Sequence, residues 1–370
     1  MISVKTWRLS VLLCLPAMAG ASDAWRGVDL SYVNELEDCG AEFRLGDATK
    51  DPFEILAGAG ANLVRLRLWV NPDWTRYSTL DDVRKSLARA KAADMRTLLD
   101  FHYSNDWAHP GKQLRPADWP DVDDTEGLSK KLAEYTTETL LALEAEGLLP
   151  DVVAVGNETN TDVLIDEEVD EKADVNWERN VRLLNAGIRA VRQLDVEPER
   201  RPQVMLHIAQ PENVRVWFDD GIYAGLDDFD IIGVSYYPKW SSTPFSAIRE
   251  KVSEFRSRYG SDVVIVETAY PWTLDGNDAA GNLLGEDSLV DGYPASPDGQ
   301  RRFLEDQQSE VIAGGGLGIV YWEPAWVSSS CRTRWGEGSH WENAALFDFD
   351  NRLLPGAGFL RPADSEGDSD

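Results

Sequence analysis

The chain has 370 residues, with 65 Asp and Glu against 36 Lys and Arg and a formal net charge of −29. So acidic a surface repels nucleic acid and anionic lipid and suits a neutral ligand. The length accommodates one α/β barrel with long loops more readily than two independent domains.

The first segment differs from everything after it. Lys5 and Arg8 precede the apolar stretch "LSVLLCLPAMAGA", which is too short to anchor in a bilayer and ends in small residues. Residues 1–22 therefore read as a secretory signal peptide, with cleavage between Ala19 and Asp23. No later stretch is long and apolar enough to span a membrane, so a secreted or periplasmic location is expected. Removal of the leader takes Cys14 with it and leaves Cys39 and Cys331 in an oxidising compartment.

From Trp25 onward, eight short apolar runs alternate with amphipathic segments. The runs are "WRGVDL", "NLVRLRLWV", "MRTLLDF", "DVVAVG", "QVMLHI", "FDIIGVS", "DVVIVE" and "LGIVYWE". Helix-like stretches such as "TLDDVRKSLARAKAAD" and "NWERNVRLLNAGIRAVRQ" lie between them. Near-continuous apolar strands separated by helices predict a parallel sheet covered on both faces. Eight repeats without a Gly-rich phosphate fingerprint after the first strand predict a closed (β/α)8 TIM barrel over residues 23–360, a single catalytic domain. The polar, acidic segment 361–370 reads as a disordered tail.

In such a barrel the chemistry belongs at the C-terminal ends of the strands. Those ends carry Asp29, Arg65 and Arg67, His102, Asn157 and Glu158, His207, Tyr236 and Tyr237, Glu267, and Trp322 with Glu323. So many desolvated polar groups around one axis point to a ligand that organises them. Glu158 ends the fourth strand and Glu267 the seventh, on opposite sides of the mouth. Two facing carboxylates are what glycoside cleavage needs: one protonates the leaving oxygen while the other attacks the anomeric carbon. Asn157 is placed to bond a sugar hydroxyl, Tyr237 to hold Glu267 ionised, and Trp322 to offer an apolar face to a sugar ring. A lone Glu267 would otherwise read as a buried ion pair with Arg65 or Arg67.

The motifs "GVDLSYV", "RLRLWVNP", "DFHYSNDWAHPGKQ", "VGNETN", "IIGVSYYPKW", "VETAYPW" and "NAALFDF" occur in this order from about Trp25 to Phe349. Together they resemble the endo-β-1,4-galactanases of glycoside hydrolase family 53. The resemblance implies a retaining (β/α)8 glycosidase acting on galactan or arabinogalactan, with Glu158 as acid/base and Glu267 as nucleophile. It matches Arg65 to the strand-two arginine of the wider clan, with Arg67 the near alternative. It implies no required cofactor, while some members hold a structural calcium after strand seven. In the segment "TLDGNDAAGNLLGEDS", Asp275, Asn277 and Asp278 are the candidate oxygen ligands here. A polysaccharide substrate and a monomer are expected, without nucleic-acid or membrane partners. Two other readings are a non-catalytic sugar receptor and a related-clan barrel acting on β-mannan or cellulose. Lastly, a closed barrel makes the first and eighth strands neighbours. The loops that follow them, which carry Cys39 and Cys331, should then meet in a disulfide.

Overall fold

Eight parallel strands close on one another in the computed structural model, which describes residues 24–362. They are β1 (Trp25–Asp29), β2 (Leu63–Leu68), β3 (Arg96–Phe101), β4 (Val152–Val155), β5 (Gln203–Ala209), β6 (Ile231–Ser235), β7 (Asp262–Thr268) and β8 (Gly318–Tyr321). Each pairs with its sequence neighbours, and β1 pairs with both β2 and β8, which seals the barrel. The expected leader and nearly all of the expected tail lie outside the described residues. No helix among the described residues is long and apolar enough to cross a membrane.

The helices are α1 (Val33–Asp38), inside the first loop, then α2 (Pro52–Ala59), α3 (Leu80–Ala92), α4 (Thr125–Ala145), α5 (Trp177–Arg192), α6 (Pro211–Tyr223), α7 (Ile248–Tyr259) and α8 (Pro297–Ala313). Their starts follow from local chemistry. Asp51 caps α2 ahead of Pro52, Thr79 caps α3, and Ser296 caps α8 ahead of Pro297, each side chain accepting from an amide of the first turn. Among the described residues no α-helix follows β8. A 3-10 helix, Pro355–Leu360, fills that place between α8 and α2, and a Cβ on Gly60 would lie 2.1 Å from the Leu360 carbonyl.

The lower interior of the barrel is a dry plug of Trp25, Leu63, Leu98, Val152, Ala154, Met205, Ile231, Val264, Val266 and Val320. Gly27 and Gly233 face it where no side chain fits: a Cβ would lie 2.6 Å from Val320 and 2.7 Å from Met205, respectively. The larger apolar cluster lies outside the strands, under the helices. At the other rim a disulfide joins Cys39, just after α1, to Cys331 in the loop after β8, across 292 residues of sequence.

Candidate active site

Above the apolar plug the same strands turn polar. Arg65, buried at 1 % exposure, sends Nη1 to Asp29 Oδ2 (2.7 Å). Its Nη2 faces Asp100 Oδ2, Asn157 Oδ1 (2.7 Å) and Glu267 Oε1 (2.6 Å). One guanidinium therefore gathers carboxylates from β1, β3 and β7 together with the amide after β4. Burial alone would raise the Asp100 carboxyl, but Arg65 and then His102 overcome it and hold it at about 2. The arrangement resolves the choice left open between the two arginines: Arg65 reaches Glu267, whereas Arg67 pairs with Glu323 (3.2 Å) among the rings of Tyr32, Trp69 and Trp107.

Simple alternation would turn Glu267 away from the mouth, since Val264 and Val266 already face the interior. A β-bulge resolves this. Val234 pairs with Ile265 but the next residue, Ser235, pairs with Glu267, so β7 spends one extra residue and brings Glu267 onto the inner face. Tyr237 then donates from Oη to Glu267 Oε2 at 3.1 Å.

Glu158 is aimed differently. It sits beyond the end of β4 with a left-handed backbone (φ 46°), two residues after Gly156 at φ 91°, a conformation costly for a side-chain-bearing residue and typical of functional sites. Gln113 holds it there by donating to the carbonyls of Asn157 (2.8 Å) and Glu158 (3.0 Å). Ser235 Oγ donates to Glu158 Oε1 at 2.5 Å and is itself bonded to His207 Nε2 at 2.8 Å. Oxygens of Glu158 and Glu267 lie within 4.8 Å of each other.

The two carboxylates differ electrostatically. Burial, then the charge of Glu267, pushes Glu158 up to about 8, with Ser235 pulling it back only in part. Burial also raises Glu267, to about 7, but Arg65 opposes that directly and Tyr237 adds a hydrogen bond. With a cation and a phenol in contact, Glu267 is the member of the pair that ionises first.

Several residues expected to touch substrate are turned away from the mouth or closed off from it in this structure. Asp29 and His207 are fully buried: Asp29 accepts from Arg65 and Ser31, and His207 bonds Ser235. Tyr236 points outward, because Ser235 and Tyr237 occupy the inner face on either side of it. Its hydroxyl meets the Thr243 carbonyl at 3.3 Å, so it belongs to the packing around the barrel and not to the mouth. His102 lies against Asp100 and accepts from the Ala108 amide, and Asn157 donates to the Ala108 carbonyl with its second N–H left over. Trp322 does line the mouth: it is partly exposed and packs at 4.7 Å from Trp341 and 5.9 Å from Trp107. Asp100, Gln113 and Ser235 escaped the sequence reading, and the pairing of Glu323 with Arg67 was not foreseen. The inward alternation of Leu98, Asp100 and His102 was the signal for the first of them.

The loop after β7 does not fit a cation in this arrangement. Asp278 accepts from the amides of Ala280, Ser329 and Ser339, and Glu342 Oε1 from those of Asn277 and Asp278. Amide hydrogens thus engage both oxygens of Asp278. Among the described residues, Asp275 and Asp278 join no converging group of metal-binding side chains. Asp278 itself ties this loop to the one after β8.

A closed parallel barrel with two carboxylates converging at its C-terminal mouth, one held by arginine and tyrosine, defines the class: a (β/α)8 glycoside hydrolase. Residues 25–360 match the model of glycosyl hydrolase family 53, and the chain belongs to that family. It is 48 % identical over 357 residues to an arabinogalactan endo-β-1,4-galactanase of Cellvibrio japonicus, covering 95 % of each chain. It is 31 % identical to an endo-β-1,4-galactanase of Bacillus subtilis, covering 93 % of this chain and 86 % of that one. Among solved structures it superposes on the family 53 catalytic domain of Ignisphaera aggregans with a TM-score of 0.82 at 31 % identity, covering 94 % and 97 % of the two chains.

Proposed function

We propose that the chain is an endo-β-1,4-galactanase that cleaves internal galactosidic bonds of galactan and arabinogalactan with retention of configuration. The observation that carries this reading is the approach of oxygens of Glu158 and Glu267 to within 4.8 Å, close to the separation of double displacement (carboxyls about 5–5.5 Å apart) and short of the roughly 6.5–9.5 Å that leaves room for a water between them. Glu158, kept protonated by burial and by its neighbour, gives its proton to the glycosidic oxygen as the C–O bond breaks. Glu267, ionised beside Arg65, bonds to the anomeric carbon. Glu158, now ionised, takes a proton from water. The water oxygen then bonds to the anomeric carbon and the Glu267 carboxylate departs.

The names of the relatives support galactan as the substrate. The free N–H of Asn157 suits a sugar hydroxyl, and Trp322 suits the apolar face of the reacting sugar. The charged and apolar leader, together with the disulfide, supports export. Reducing-sugar release from galactan, arabinogalactan, mannan and carboxymethyl-cellulose tests the substrate, and release from only the last two would overturn it. For the mechanism, Glu158→Ala given azide and an activated galactoside should yield a β-galactosyl azide; an α product would refute double displacement.

A further inference from the structure

We propose that His207 and Ser235 form a one-way hydrogen-bond relay that keeps Glu158 Oε1 an acceptor and so assigns the catalytic proton to Oε2. The inference rests on Glu158 being the acid/base. Both residues would be positioning residues, since neither reaches the mouth.

The argument is one of proton counting. Ser235 Oγ lies 2.8 Å from His207 Nε2 and 2.5 Å from Glu158 Oε1, and it has a single proton to give. His207 is fully buried, and burial followed by the charge of Arg65 pushes it down to about 3, so it is neutral throughout neutral and mildly acidic pH. A neutral imidazole carries its proton on one nitrogen. With the proton on Nδ1 it would be an orphan donor: Nδ1 finds no hydrogen-bond partner among the described residues, and Asp100 Oδ1, an unpaired acceptor on β3, two strands away, is not bonded to it. With the proton on Nε2, the N–H bonds Ser235 Oγ and the hydroxyl proton is left for Glu158 Oε1. Both donors are then satisfied, and buried donors without acceptors are rare. Oε2 takes no hydrogen bond from a described residue and is the oxygen left to carry the proton.

The other charges around Glu158 leave this direction unchanged. Glu267 faces it from β7, Arg65 from β2, Asp100 from β3 and Tyr237 from beyond β6. His207 faces Arg65, Asp100 and His102. None of these groups donates to Glu158 Oε1 in place of Ser235. The relay would favour the ionised form in the second half of the reaction without obstructing protonation of Oε2 in the first.

Two measurements test it. The chain has only four histidines, so nitrogen NMR of the labelled wild-type protein, with His207→Gln for assignment, reads the tautomer directly. A neutral Nε2–H form across the active pH range is expected, and an Nδ1–H form would overturn the relay. In Ser235→Ala, loss of the donor to the carboxylate raises the affinity of Glu158 for its proton. The alkaline limb of kcat/KM should therefore move to higher pH. Turnover of galactan should fall on the order of tenfold, with less loss on aryl galactobiosides whose leaving group needs no proton. A uniform loss on all substrates with an unmoved limb would mean a merely structural serine and would sink the proposal. An active Glu158→Gln would instead overturn the acid/base reading on which it rests.

Discussion

The lower and upper halves of the barrel interior are built from the same strands and obey opposite rules. Below, ten apolar side chains and two glycines fill the space, with no charged group and only the indole N–H of Trp25 as a side-chain donor. Above, Asp29, Arg65, Asp100, Asn157, His207, Ser235 and Glu267 are all nine-tenths buried or more, yet each is tied to at least one other of the set. Stability and chemistry are thus separated by about two residues along a strand, as between Leu63 and Arg65 or Met205 and His207. The lower half tolerates no voids. The upper half tolerates no unpaired charge.

The sharpest way to break the contrast is Glu267→Ala, which should remove turnover by on the order of 10^4-fold or more on every substrate while the protein remains folded. Arg65→Met comes next. It strands Asp29, Asp100 and Glu267 without their shared cation, so denaturant melts should show a loss of about 3–5 kcal/mol together with loss of activity. Met205→Ala, in the lower plug, should cost roughly 2–4 kcal/mol of stability yet leave kcat of the folded protein unchanged. A changed kcat there would show that the halves are coupled. Trp322→Ala should raise KM about fivefold, the equivalent of about 1 kcal/mol of stacking, with little effect on melting. Unchanged kinetics would return the indole to a packing role.

The remaining prediction is a matter of sign. The folded state binds the Glu158 proton more tightly than the unfolded chain does, with its carboxyl raised from 4.5 to about 8. The stability contributed by that proton is fully present below about pH 4.5 and is lost as pH rises through about 8. Glu158→Gln removes this titration, so it should melt higher than the wild type in mildly alkaline buffer, with the gap closing in acid. A gap that widened in acid would place the raised carboxyl elsewhere.

Much of this was legible in the chain because barrel strands announce themselves. Each buried run, such as "DVVAVG" or "DVVIVE", ends where the polar residues begin, and strand count alone brings the loops of Cys39 and Cys331 to one rim. The carboxylate pair was legible for the same reason, since strands four and seven of eight must face each other. What the sequence could not decide was direction at the level of single residues. Strict alternation places Tyr236 outside and Tyr237 inside, but the same rule turns Glu267 the wrong way. Only the bulge between β6 and β7, a property of two paired strands and not of either alone, brings it back. Nor could it choose between Arg65 and Arg67, which face the same interior two residues apart. That choice was made by Asp29, Asp100 and Glu267 arriving from three other strands around the first, and by Glu323 and three aromatic rings around the second. Composition and periodicity determine which residues are buried, because burial follows from local patterns of apolar and polar side chains. The partners of a buried charge come from distant parts of the chain, and only the closed barrel decides which of them lie within hydrogen-bond reach.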